Sequence, residues 1–172
     1  TFSEIGRLAG VEASDWSWGA LFFDMNNDGL RDLYIANGIF RDLTDQDYLQ
    51  YVSSEQVLMS IMSGEEVDYA KLVEIIPSRP VKNHAYINQG NLTFTNDDST
   101  GLLMPSFSNG SAYGDLDNDG DLDLVVSNVN MPSFVYENHT DKKESGNYIQ
   151  FDLRGSGQNT MAIGTQIMVN DG

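Results

Sequence analysis

Apolar residues recur along this chain at two different periods. Around two acidic stretches they come in short runs rich in β-branched and aromatic residues. "WGALFFD" (18–24) and "GSAYGD" (110–115) lead into an acidic loop, and "LYIAN" (33–37) and "LVVSN" (124–128) lead out of it. Runs of this length and composition predict strands. "HAYINQGNLTFTN" (84–96) reads as a hairpin turning on Gln89-Gly90-Asn91. Between Asn37 and His84 the period changes. Tyr48, Leu49, Val52, Leu58, Ile61 and Met62 recur at helical spacing from Asp45 to Met62, with Thr44 as the expected N-cap. A second helical pattern, "EEVDYAKLVEII" (65–76), stops before Pro77.

The strand-loop-strand pattern occurs twice. Asp24 aligns with Asp115 at an offset of 91, and the match extends through Gly10/Gly101, Trp16/Phe107, Gly19/Gly110, Asp28-Gly29/Asp119-Gly120, Asp32-Leu33/Asp123-Leu124 and Asn37/Asn128. A Tyr-x-Asn landmark follows each copy, at Tyr86/Asn88 and Tyr136/Asn138. It comes 62 residues after the first aspartate in one copy and 21 in the other. The first copy therefore carries an insertion of 41 residues, read as a helical hairpin on a β scaffold. Each unit is strand, acidic loop, strand, turn and strand, with a fourth strand expected: about one four-stranded propeller blade. The expected fold is mainly β, with blades of β-propeller type. It divides into 1–40 (first half of repeat 1), 41–83 (helical insertion), 84–98 (hairpin completing repeat 1) and 99–140 (repeat 2).

The net charge of −17, from 26 acids against nine Lys and Arg, argues against nucleic acid and anionic membrane surfaces as partners. It suits a cationic partner. With no Cys, disulfides, thiolate metal sites and Cys nucleophiles are excluded together. No apolar run approaches the roughly 20 residues of a membrane helix.

Dense aspartates need a counterion, and their spacing suggests one. Oxygen-bearing residues at alternate positions with Gly at the sixth match the first half of a calcium loop. The second loop offers Asp115, Asp117, Asp119 and Asp123 with the backbone carbonyl of Asp121; the first offers Asp24, Asn26, Asp28 and Asp32 with the carbonyl of Leu30. A flexible all-oxygen set favours Ca2+ over Mg2+, and without His or Cys in the loops zinc and copper are disfavoured. Two calcium ions per chain are expected. The alternative is a metal-free acidic turn held by Asx-type hydrogen bonds. An EF-hand is excluded, because its position 12 would be Ile35 or Val126 and strands flank these loops.

At "WGALFFDMNNDGLRDLYIANG" and "NGSAYGDLDNDGDLDLVVSNV" the chain resembles the FG-GAP/VCBS repeat, the calcium-loop blade of integrin-α-like propellers. The resemblance implies a seven-bladed or similar propeller, calcium in blade loops, and secreted, cell-surface or periplasmic residence. Asn26 departs from the pattern by replacing an acid. The tail, "YIQFDLRGSGQNTMAIGTQIMVNDG" (148–172), is similar to the opening of the β domain of bacterial cartilage-acidic-protein-like, ASPIC/UnbV-type proteins, through Leu153, Gly155, Asn159, Ile163-Gly164 and an alternating strand through Val169. Two such blades cannot close a ring. The chain is thus read as a fragment of a larger propeller, with blade edges open to self-association.

No Gly-x-Ser-x-Gly, His-Glu-x-x-His or phosphate-binding loop is present, so a non-catalytic role is expected. The favoured function is a calcium-binding propeller segment of a secreted or surface protein, acting in adhesion or ligand recognition through a protein or glycan. The alternative is a glycan-binding or glycan-degrading component. Trp16 aligns with Phe107 and is expected in the core. Trp18 aligns with Asn109 and is the candidate for ligand contact. Asn91, Asn109 and Asn138 open Asn-x-Ser/Thr sequons.

Overall fold

All six residues of the strand Asp32–Asn37 (β2) are buried, and their alternation sorts them onto two covered faces. β2 pairs antiparallel with Ser17–Phe23 (β1) on one side and with His84–Asn88 (β3) on the other; β3 pairs in turn with Phe94–Asn96 (β4). A second antiparallel sheet follows, of Ser108–Gly114 (β5), Asp123–Asn128 (β6) and Phe134–Tyr136 (β7). These elements come from a computed structural model, which describes residues 2–63, 69–140 and 149–170. The protein is mainly β, built from two antiparallel sheets with a few short helices.

The repeat is visible residue by residue. Ser17 pairs with Asn37 and Gly19 with Ala36, leaving Trp18 as the extra residue of a bulge. At the same offset Ser108 pairs with Asn128 and Gly110 with Ser127, leaving Asn109 extra. Leu33 faces Tyr86 as Leu124 faces Tyr136, and Ile35 faces His84 as Val126 faces Phe134. The link between the equivalent strands is 38–83 in the first sheet and 129–133 in the second, a difference of 41 residues. The additional residues thus lie in the β2–β3 connection. Among the described residues the fourth strand, β4, is present in the first sheet only.

The sheets pack front to back. One face of the first, with Phe23, Tyr34, Ala36 and Ala85, closes on Leu124 and Val126 of the second, with Phe134 and Tyr136 at the edge. Stacking of Phe23 on Tyr113, ring centres 4.8 Å apart, continues this contact. The opposite face of the first sheet, Leu33, Ile35 and Tyr86, is covered by Val11 and Phe94. Val11 follows the short helix Gly6–Ala9 (α1). Gly38 of the first repeat comes close to the backbone of the second. Its φ is +138°, and a Cβ there would lie 2.6 Å from the Phe107 Cα, so only Gly fits.

At the sheet ends remote from the acidic loops, buried polar side chains join the repeats. Asn83 accepts the Asn37 N–H (2.8 Å) and donates to Ser108 Oγ (3.0 Å), which donates to Asn128 Oδ1 (2.7 Å). Buried amides are tolerated there because each has partners.

The insertion contains Gln46–Val52 (α2), Glu55–Met62 (α3) and Tyr69–Glu74 (α4). Thr44 is not the cap of α2. Asp42 accepts both the N–H and the hydroxyl of Thr44, and the Asp45 carboxylate takes the N–H of Tyr48 at 2.9 Å. The cap is Asp45, and its Asx geometry uses Thr44 as the lead-in. The expected single helix breaks at Ser53-Ser54. Residues 65–68 of the second helical pattern lie outside the described residues. Two further expectations fail. Trp16 is 38% exposed, whereas Phe107 is buried. Phe107 is covered edge-on by Phe40 of the preceding repeat, ring centres 5.2 Å apart, and Trp16 follows no such repeat among the described residues. No strand forms over 149–170. The backbone turns through Gly155 N–H to Thr160 O and Thr165 N–H to Ala162 O, and nearly all its side chains are exposed.

Candidate metal centre

Each acidic loop spans the last residue before a strand pair opens and the first residue after it closes. Asp24 follows β1 and Asp32 begins β2; Asp115 follows β5 and Asp123 begins β6. The turn between them is the same in both copies. Asn27 and Asn118 have φ of 56° and 63°, and Gly29 and Gly120 have 85° and 96°. Asn tolerates this left-handed conformation better than most residues with a Cβ, so positions four and six together bend the loop. Alternation of oxygen ligands points to the glycine; the asparagine escapes a search for ligands because it serves the backbone.

The ninth position is the anchor. The Asp32 carboxylate accepts the Met25 N–H (3.0 Å) on one oxygen and the Asn88 N–H (2.8 Å) on the other. Asp123 does the same with Leu116 and Asn138, both at 2.8 Å. Each thus ties the loop's second residue to the end of the third strand. The Tyr-x-Asn landmark now has a physical basis. Asn88 Nδ2 donates to Arg31 O (2.8 Å) and Asn138 Nδ2 to Leu122 O (3.2 Å), so the Asn closes the clamp from the other side. Asn138 also donates to Met25 O (2.9 Å), and Thr140 Oγ1 to the same carbonyl, joining the two loops. With its amide so engaged, Asn138 is unsuited to glycosylation, whereas Asn91 and Asn109 are exposed. Burial pushes the Asp32 carboxyl above the usual range; its two backbone donors oppose that shift, and the charges of Asp28 and Asp24 add to it.

The loops differ in where their other oxygens go. In the second, carboxylate oxygens of Asp115, Asp117 and Asp123 lie within 4.8 Å of one another. Asp115 Oδ1 is buried with no hydrogen-bond partner. A desolvated carboxylate oxygen without a donor is costly unless a cation meets it, so this donor set fits a hard divalent ion. Asp117 is raised by desolvation and by Asp119 beside it. Asp119 accepts the Asp121 N–H (3.2 Å), and Asp121 is fully buried, side chain included, although the spacing assigned it only a carbonyl.

In the first loop no three carboxylates converge in this way. Asp24 accepts the N–H groups of Asp28 (3.1 Å) and Gly29 (2.8 Å), Asn26 accepts Asp28 N–H (3.1 Å) and donates to Asp28 Oδ2 (3.1 Å), and Asp28 accepts Leu30 N–H (2.8 Å). The side chain of Leu30, at position seven, is partly exposed. Asx-type bonds of this kind also occur in the second loop, from Asp119 N–H to Asp117 (3.3 Å) and from Asp121 N–H to Asp119 (3.2 Å). Trp18 stands apart from both loops: its ring is 57% exposed, and its indole N–H donates to Gly38 O.

Comparison with known proteins agrees with this geometry. No curated protein and no solved structure gives a significant match. Residues 72–126, from α4 through β3, β4 and β5 and across the second acidic loop into β6, match the family model described as FG-GAP-like repeat.

Proposed function

We propose that the chain is a calcium-pinned, non-catalytic segment of a β-propeller-type protein, secreted, periplasmic or held at a cell surface, which presents a recognition surface to a protein or glycan. The observation that carries the cation is the gathering of carboxylate oxygens of Asp115, Asp117 and Asp123 in a loop where the buried Asp115 Oδ1 has no hydrogen-bond partner. The residues that would hold it are these three, with Asp119 and the Asp121 carbonyl completing the set. When bound, the ion would neutralise carboxylates that otherwise repel.

Front-to-back packing supports the propeller. The face that carries Tyr34 and Ala36 in the first sheet is covered by the second sheet. The equivalent residues of the second sheet, Val125 and Ser127, lie on its far side with Ala112 and Val135, and Val135 is 67% exposed. A heterologous contact of this kind generates a ring when its rotation closes. A further sheet of the same kind satisfies that face. The cartilage-acidic-protein-like, ASPIC/UnbV-type assignment of 148–172 rests on its landmark residues in the sequence, Leu153, Gly155, Asn159 and Ile163-Gly164.

The non-catalytic reading is supported by the two imidazoles: His84 stacks on Tyr86, and His139 faces Glu137 at 3.5 Å on the surface. A glycan-binding role is favoured by Trp18 alone, whose exposed ring is steadied through its N–H. Titration calorimetry with Ca2+ on the EDTA-treated, dialysed chain tests the main reading. A binding event abolished by Asp115→Asn with Asp117→Asn is expected. No heat of binding in the unaltered chain would refute it.

A further inference from the structure

The helical insertion exposes apolar surface that the sheets do not use. No side chain of α2 or α4 is buried, and Leu49, Tyr51, Leu58, Tyr69 and Val73 are exposed along the helices. Met59 and Met62, 68% and 86% exposed, extend this surface along α3. Beside it lies a groove of about 350 Å3, with Tyr48, Tyr51, Ile75 and Pro77 as its apolar part and Asp45, Asp47 and Arg79 as its charged part. Exposed apolar patches mark interaction sites, and methionine adapts to varied partners. Charge decides which partner. Among the described residues of the three helices and the groove, four acids, Asp45, Asp47, Glu55 and Glu74, stand against two bases, Lys71 and Arg79. A second copy would bring the same negative field, and an anionic membrane would be repelled likewise.

We propose that the insertion is a docking surface for a basic amphipathic segment of another protein, one whose apolar face is flanked by Lys or Arg. This deepens the recognition role proposed above and names its partner's chemistry. The insertion is rooted independently of the metal loops: the Arg41 guanidinium donates to Ile76 O (3.1 Å), and Asp42 N–H to Pro77 O (3.0 Å). The two ends of the helical segment therefore meet, and residues 43–76 can be replaced by a short Gly-Ser link.

The test is fluorescence anisotropy with two synthetic amphipathic helical peptides, one of Leu and Lys and the other of Leu and Glu, titrated with the full chain. Expected is saturable binding of the Lys peptide only. Asp47→Lys with Glu55→Lys, and separately Met59→Ser with Met62→Ser, should each weaken it by about tenfold or more. Asp152→Lys in the exposed tail should leave it unchanged. Excision of 43–76 should abolish peptide binding while the calcium heat of binding persists, which separates failure of this proposal from failure of the calcium reading. Equal binding of both peptides, or Lys-peptide binding indifferent to the insertion variants, would overturn it. So would retention on anionic vesicles, or self-association in sedimentation that those same variants abolish.

Discussion

The two acidic loops share a backbone but not an electrostatic solution. Both bend at a left-handed Asn and Gly, and both are fixed by a buried ninth-position Asp that accepts two backbone N–H groups. The first loop then spends its remaining oxygens on its own amides. The second gathers three carboxylates and leaves the buried Asp115 Oδ1 without a donor. Two side chains account for much of this: Asn26 stands where Asp117 stands, and Leu30 where Asp121 stands. The scaffold is held by hydrogen bonds, and the demand for a cation is added on top of it.

If the ninth-position carboxylates are scaffold, their loss is the largest effect. Asp32→Ala leaves the N–H groups of Met25 and Asn88 without acceptors in a buried place. At roughly 1–3 kcal/mol for each unsatisfied group the cost is about 3 kcal/mol, since removing a desolvated charge returns part of it. Asp123→Ala should cost a similar amount. Urea denaturation in EDTA measures both. A loss below about 1 kcal/mol for either would mean that the clamp contributes little.

The cation should then separate the loops. At a free Ca2+ concentration near 100 times the dissociation constant, binding to the native state adds about 2.7 kcal/mol. Asp115→Asn with Asp117→Asn should remove most of this gain, and Asp24→Asn far less. A thermal melt in Ca2+ and in EDTA for each variant checks the ranking; equal loss from both loops would show that they bind alike.

What the sequence made legible here was whatever repeats. Strands flanking each loop, the 91-residue offset and the 41-residue excess in one connection are periodic or alignable features, and the sheet registers reproduce them. Other features depend on neighbours distant in the chain. Trp16 and Phe107 occupy equivalent positions, yet only Phe107 has Phe40 against it. The Asn138 side chain reaches Met25, far upstream, and no local pattern announces that. Whether Thr44 or Asp45 caps α2 depends on Asp42, a competitor of the same chemical kind. Asp24 reads as a ligand from its spacing; its acceptance of two backbone N–H groups is a matter of loop geometry.

Converting the first loop toward the second sharpens the comparison further. Asn26→Asp adds a carboxylate near Asp24 and Asp28 and removes the amide donor that Asn26 offers Asp28. In EDTA this should cost on the order of 1 kcal/mol through repulsion. In Ca2+ the sign should reverse, with the variant more stable than its parent because the added acid favours a bound ion. A destabilisation of equal size in both conditions would show that the first loop cannot be recruited, and that Leu30 or the backbone geometry sets the limit.

The smallest expected effect is on pH dependence, and its sign follows from Asp117. Desolvation and the neighbouring Asp119 charge hold the Asp117 carboxyl above the ordinary carboxylate range. A group raised in this way keeps its proton to higher pH in the folded chain than in the unfolded one. Without metal, its ionisation weakens the fold as pH rises through that range, and the penalty is complete above the raised value. Asp32, raised mainly by burial, acts in the same direction. A bound cation requires the ionised form, so protons compete with it: calcium affinity should fall as pH drops toward the carboxylate range, while metal-free stability gains from these two groups. Calcium titrations in steps from neutral to mildly acidic pH, run beside denaturation in EDTA, read the two opposed slopes. Asp117→Asn should flatten the calcium slope. An unchanged slope in that variant would assign the competition to another carboxylate of the second loop, and Asp115, with its buried partnerless oxygen, is the next to replace.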